Sequence, residues 1–190
     1  MSQPPWVSSQ YPVVMGILNL TPDSFSDGGE LSDIDSVLRR AERMVSEGAT
    51  LLDLGAVSTR PGAQEVSQAE EMRRLLPAVE ALKDEQFAPL SIDTFRPEVA
   101  AAALDLGAHM INDVRGGREP GMLRVFGAYK PWICLMHMKG LPQTMQTGSI
   151  DYDEVVFDAG SWLADAVSRA VEAGVPKQHI LVDPGIGFGK

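Results

Sequence analysis

Cysteine is almost missing from this chain: Cys134 is alone among 190 residues. That excludes a disulfide framework and any metal site built from cysteine only. Positive charge is also short, with 16 Lys+Arg against 26 Asp+Glu and a formal net charge of −10. Such a surface has no electrostatic footprint for nucleic acid or an anionic membrane. No apolar run approaches the about 18 residues that a membrane-spanning helix needs. The first twelve residues, MSQPPWVSSQYP, lack the basic and apolar regions of a secretory signal. No Asn-Gly hairpin signal, linker or low-complexity stretch interrupts the chain. What is present is 44% hydrophobic residues, enough to fold. The expectation is a cytoplasmic protein with residues 1–190 forming a single domain.

Short apolar runs alternate with longer segments of helical period. The runs cover residues 13–18, 51–54, 90–92, 110–111, 132–136 and 180–182. They are almost continuously apolar, as in parallel strands covered on both faces. Between them, Ser32-Asp33-Ile34-Asp35 reads as a variant capping box opening a stripe of Ile34, Val37, Leu38, Ala41, Met44 and Val45 that Gly48 ends. Ser67-Gln68-Ala69-Glu70 is a proper capping box ahead of Met72, Leu75, Leu76, Val79 and Leu82. Pro97 suits a first helical turn, and Gly107 closes the segment that follows. A shorter helix is expected near residues 122–128. The last long helix carries Val156, Leu163, Val167, Ala170 and Val171 and stops at Gly174. Strand–helix alternation of this kind specifies a parallel α/β sheet.

Polar residues mark where each run ends: Asn19, Asp53, Asp93, Asn112, His137 and Asp183. In a (β/α)8 TIM-type barrel the active site lies on that face. A doubly wound sheet gathers ligands near one switch point and has no need for six such residues, and no G-x-G-x-x-G follows the first strand. The barrel is therefore favoured. From Asn19 to Asp183 the pitch is about 33 residues per βα unit, whereas a typical barrel needs roughly 250 residues. The expectation is an incomplete barrel of about six βα units, truncated after strand six.

The strand ends carry distinctive motifs. Gly16-Ile17-Leu18-Asn19-Leu20-Thr21-Pro22-Asp23-Ser24-Phe25-Ser26-Asp27-Gly28-Gly29 leaves strand one, and Ser58-Thr59-Arg60-Pro61-Gly62-Ala63 follows strand two. Ser91-Ile92-Asp93-Thr94, Ile111-Asn112-Asp113-Val114, Met136-His137-Met138-Lys139-Gly140 and Asp183-Pro184-Gly185-Ile186-Gly187-Phe188-Gly189-Lys190 complete the series. Together, and in this order, they resemble the dihydropteroate synthases, folate-pathway enzymes of the pterin-binding barrel family. The resemblance runs from about Val13 to the last residue.

The resemblance implies condensation of p-aminobenzoate with 6-hydroxymethyl-7,8-dihydropterin pyrophosphate, giving 7,8-dihydropteroate and pyrophosphate. It implies that Asp183 accepts from the pterin's 2-amino and ring N–H groups, while Asn112 and Asp93 pair with other ring nitrogens. Val114, Met136 and Phe188 become apolar walls, and Phe25, Thr59 and Pro61 line the aminobenzoate pocket. Arg60 and Asn19 become the catalytic pair on the pyrophosphate side, with Asn19 as ligand to Mg²⁺. Sulfonamide binding and a homodimer belong to the same family picture. The chemistry suits these residue types, because carboxylates accept from a flat edge of donors and an amide both donates and accepts.

Other readings stand beside this one. A pterin-binding methyltransferase relative would share the Asp/Asn contacts but has no use for a pyrophosphate arginine. A non-catalytic pterin-binding fragment is the third. His137 reads as a structural histidine, and Asp53 as a helix N-cap or a structural bond to a neighbouring loop. Gly185, Gly187 and Gly189 need no phosphate to explain them. The chain has Ala56 and Val57 where the family usually has Gly and Glu, and Lys139 where Gln is common. The family's strand-seven lysine and strand-eight arginine and histidine have no counterpart within these residues.

Overall fold

The computed structural model describes residues 12–20, 30–57, 66–140, 152 and 154–189. Among them are strands β1 (Met15–Asn19), β2 (Leu51–Gly55), β3 (Leu90–Asp93), β4 (Met110–Asp113), β5 (Trp132–Met136) and β6 (Ile180–Asp183). Helices α1 (Glu30–Ser46), α2 (Gln68–Glu85), α3 (Pro97–Asp105), α4 (Met122–Tyr129) and α5 (Val155–Glu172) alternate with them, and a 3₁₀ turn at Lys177–His179 leads into β6. The sheet is parallel throughout and runs β1-β2-β3-β4-β5-β6. That monotonic order is the one in which right-handed crossovers lay every helix on one face, as in a barrel wall.

Register decides which residues meet the helices. Leu18, Leu54, Ile92, Ile111, Ile133 and Ile180 pair across the sheet as one rung. All six join the main core, with Val37 and Ala41 of α1, Leu75, Val79 and Leu82 of α2, and Phe126 of α4. The next rung, Asn19, Gly55, Asp93, Asn112, Cys134 and Leu181, lies one residue on and so faces the other way. This alternation separates the packing face from the chemical face. The expectation of cover on both faces holds for β2, whose five residues are all buried. It fails on the edge strands, where Met15 and Ile17 of β1 and Leu181 and Val182 of β6 are exposed.

Three local readings need correction. Helix α1 starts at Glu30, so Ser32 lies inside the helix and is not its N-cap. In α5 the buried stripe is Ala159, Leu163, Ala166 and Ala170, while Val156 is 81% exposed. At its end α5 comes close to α4: a Cβ on Gly127 would sit 2.1 Å from the Ala173 carbonyl oxygen. Strand β1 begins at Met15 rather than Val13, though the Val14 carbonyl still accepts from Thr50 N at 2.9 Å. The other caps follow the sequence: Ser67 accepts from Glu70 N at 3.3 Å, and Pro97 opens α3. Glu70 does not reach back as a capping box would, because its carboxylate is taken by Arg73 and Arg74.

Candidate active site

The C-terminal ends of β3, β4 and β6 bring the polar residues together. Asp53 lies two rungs below Asp93, in register with Ser91 and on the same face. It is buried, accepting from Ser91 Oγ at 2.5 Å and Asn112 Nδ2 at 3.1 Å. It is thus neither an N-cap nor a tie to a loop, because it sits mid-strand and α2 is capped by Ser67. Its job is orientation. By holding the Asn112 amide nitrogen, it turns the Asn112 carbonyl oxygen away from itself and fixes which end of the amide is presented.

Asp93 stands between Gly55 and Asn112 on the chemical face. A Cβ on Gly55 would come within 3.3 Å of Asp93 Oδ2, so Gly55 makes the space in which that carboxylate sits. Burial pushes the Asp93 carboxyl well above the usual range, and the neighbouring Asp53, Glu71 and Asp113 carboxylates push it further. A carboxyl held this way takes up a proton readily and can donate as well as accept. Burial also raises Asp53, against the pull of its Ser91 and Asn112 hydrogen bonds. Cys134, next on the rung, is pushed up to about 12 by burial and the surrounding Asp183, Asp53 and Asp113. It offers no thiolate near neutral pH.

At the end of β6, Asp183 Oδ1 accepts from Gly185 N at 2.7 Å, an Asx-type turn that starts the glycine loop. His137 N donates to the Asp183 carbonyl at 2.9 Å, locking the ends of β5 and β6 together. The His137 ring is buried and edge-on to Trp162, with centroids 5.2 Å apart. Val114, Met136 and Met138 form an apolar cluster of their own with Phe95 and Phe188 packed on it. Five residues singled out from the sequence therefore lie on or beside the Asp93–Asn112 rung: Asp93, Asn112, Val114, Met136 and Phe188. Asp183 joins them through β5. Asn19 ends β1 on the same rung and is exposed. Phe25, Thr59, Arg60 and Pro61 lie outside the described residues.

Sequence reasoning passed over two polar groups. Glu71, in the first turn of α2, is a fully buried carboxylate that accepts from Thr94 Oγ1 at 2.7 Å and from Arg96 Nη1. A helical Glu four residues past a cap reads as surface, and nothing local announces its burial. Asp113 is the other. Its two carboxylate oxygens accept from Arg115 N at 2.8 Å and Gly117 N at 2.7 Å, shaping the β4–α4 turn. Burial nonetheless lifts it to about 6, outweighing those bonds. Its folded pKa lies above the unfolded value, so the stability it contributes is complete below about pH 4 and is lost as pH rises through about 6. The swing is on the order of 2–3 kcal/mol. Asp113→Asn, which does not titrate, should shrink the fall in urea-unfolding free energy between about pH 4 and 7. An unchanged pH profile would clear Asp113 of that role.

Comparison with known proteins bears on this arrangement. A family model described as "Pterin binding enzyme" matches residues 15–190. The chain is 45% identical over 180 residues to the dihydropteroate synthase of Escherichia coli K12, covering 95% of this chain and 64% of that protein. It is 47% identical over 178 residues to that of Synechocystis, covering 93% and 61%. Among solved structures, Yersinia pestis dihydropteroate synthase with a sulfonamide drug complex matches at a TM-score of 0.89 and 47% identity, covering 97% of this chain and 66% of that one. Burkholderia cenocepacia dihydropteroate synthase complexed with 7,8-dihydropteroate matches at 0.84 and 48%, covering 97% and 62%. The chain thus spans just under two thirds of the length of these relatives. With a match over nearly every residue and the barrel-wall topology in place, the chain belongs to the pterin-binding enzyme family.

Proposed function

We propose that this chain carries the pterin-binding side of a dihydropteroate synthase, which condenses p-aminobenzoate with 6-hydroxymethyl-7,8-dihydropterin pyrophosphate. The observation that supports it most is the oriented Asp93–Asn112 pair beside the Val114–Met136–Phe188 wall. A dihydropterin is a flat ring with donors on one edge and acceptor nitrogens among them. An amide held by Asp53 and a carboxyl that can donate or accept suit that edge, and Asp183 accepts from its 2-amino group. The apolar cluster takes the ring face. In the reaction the methylene C–O bond breaks, pyrophosphate leaves with the electron pair, and the aminobenzoate nitrogen forms the new C–N bond and sheds a proton. Arg60 stabilises charge on the departing pyrophosphate, with Thr59, Pro61 and Phe25 around the aminobenzoate.

Among the described residues no cluster of three His, Cys, Asp or Glu could cage a metal. The residues fit Mg²⁺ only as an ion held largely by phosphate oxygens and water, with the Asn19 amide oxygen as the protein's ligand. When bound there it adds positive charge on the leaving-group side. The same reading carries competition by sulfonamides for the aminobenzoate pocket, a homodimer and a cytoplasmic location. No described helix is long and apolar enough to cross a membrane. Binding of 6-hydroxymethylpterin to the protein, read by calorimetric titration, is the direct test, and its absence would sink the proposal. Arg60→Ala should slow single-turnover chemistry by roughly a hundredfold, in line with loss of one stabilising donor, and leave pterin affinity within about threefold. Weakened pterin binding at an unchanged rate would move Arg60 to the wrong side of the site.

A further inference from the structure

Trp162 of α5 stands beside the residues that carry the apolar wall, and the proposed chemistry makes no use of it. The tip of its indole closes the space over Gly116 in the β4–α4 turn. A Cβ on Gly116 would lie 2.1 Å from Trp162 Cη2 and 3.2 Å from the Met136 carbonyl oxygen. The same indole makes an edge-to-face contact with the His137 ring, with centroids 5.2 Å apart. The exposed Arg118 places its guanidinium over the indole, 4.6 Å from the ring centroid. About two helical turns further along α5, Arg169 donates to the Gly116 and Gly117 carbonyls, each at 3.3 Å. Those bonds are long for N–H···O, so the indole, not the arginine, is the firm contact on the turn.

Both places that the indole touches lead directly to the wall. Val114 lies two residues before Gly116, and Met136 one residue before His137. Met136 is also backed by the β6 loop, where a Cβ on Gly185 would come within 3.1 Å of its Cγ. We infer that Trp162 is a positioning residue whose indole, wedged between Gly116 and His137, sets the spacing of Val114 and Met136 and so the wall that meets the pterin ring. This rests on the dihydropteroate synthase reading above. The wedge bears on backbone: Gly116 has no side chain to give way, and its φ of +60 keeps that position for glycine. Where packing is close, a spacer of fixed shape passes its dimensions to its neighbours. Phenylalanine lacks the outer ring carbons, Cη2 and Cζ3, that meet Gly116, so Trp162→Phe opens a gap just there.

A double-mutant cycle with Gly116→Ala tests the wedge, because the added methyl collides with the indole but falls in the gap that phenylalanine leaves. Each variant is read by calorimetric titration with 6-hydroxymethylpterin and by a thermal melt. Trp162→Phe and Gly116→Ala should each weaken pterin binding about tenfold. Combined, they should again lose about tenfold, not the roughly hundredfold of independent changes. Gly116→Ala should likewise lower Tm less in the Trp162→Phe background than in the wild type. Leu82→Ala, near the far end of α2 and fully buried, is the control: it should lower Tm and leave pterin affinity within about twofold. Unchanged pterin affinity in Trp162→Phe overturns the positioning role, as does an equal loss of affinity in Leu82→Ala. A roughly hundredfold loss in the double variant, or equal Tm losses from Gly116→Ala in both backgrounds, overturns the wedge. If the wild-type chain binds no pterin, the functional reading falls, and the melting temperatures still decide the wedge.

Discussion

Asp183→Asn is expected to weaken pterin binding by roughly a hundredfold, the equivalent of ~2–3 kcal/mol for a hydrogen bond to a charged group lost inside a closed site. In the proposed site Asp183 has two duties. Its Oδ1 holds Gly185 N at 2.7 Å, and an asparagine Oδ1 can do the same. The change falls on the other atom, where an NH₂ replaces an acceptor and meets the pterin's own N–H donors. Donor against donor is worse than a gap, because both stay unpaired. Calorimetric titration with 6-hydroxymethylpterin reads the affinity, and a thermal melt checks the fold. An affinity within twofold of wild type, on a normally folded protein, would remove Asp183 from the pterin site.

Gly185→Ala is expected to cost about 3 kcal/mol or more, a fall in Tm of roughly 6–12 °C for a domain of this size. Two effects add there. The backbone of Gly185 has φ +67, a left-handed conformation costing ~1–2 kcal/mol for a residue with a Cβ. The new Cβ would also lie 2.1 Å from the His137 carbonyl oxygen, a backbone atom that cannot swing aside. Gly187 supplies the control: its φ is +90, yet nothing lies within 4 Å of where its Cβ would be. Gly187→Ala should lose only the conformational part, about 1–2 kcal/mol. Equal losses at the two positions would show that close approach to β5 is not what Gly185 provides. Gly189 repeats the Gly185 pattern, with a Cβ 2.3 Å from the Lys139 carbonyl oxygen. Gly185 and Gly189 are thus spacers between the β5 and β6 loops, and Gly187 is not.

The strands and helices were legible because each obeys its own period. Leu54, Ile92 and Ile133 stand where a buried run must put them, and Ser67 and Pro97 stand where helix starts need them. The ends of elements were harder. Ser32 looks like a cap in isolation, but α1 starts two residues earlier. Pro77 lies within α2 without ending it, and the apolar face at Leu75, Val79 and Leu82 is buried on either side of it. Of the site, the motif residues could be named from type and order. The parts that orient them could not: Glu71 with Thr94, and Asp53 with Asn112, are partners 23 and 59 residues apart. No local pattern encodes such pairings, which exist only once the sheet has aligned its strands.

That alignment also constrains how the protein can vary. Leu18 and Asn19 are neighbours in sequence but look to opposite sides of the sheet, as do Ile92 and Asp93, and Ile111 and Asn112. Deleting one residue within β3 would therefore not merely shorten it. Ile92 would turn toward the substrate and Asp93 into the helices, exchanging solvent-side chemistry for core in a single step. Point substitutions on either side can be absorbed one at a time, whereas changes of strand length cannot. Insertions and deletions are thereby confined to the connections, so any drift in substrate preference should be written in loop length and loop sequence while the six strands keep their count.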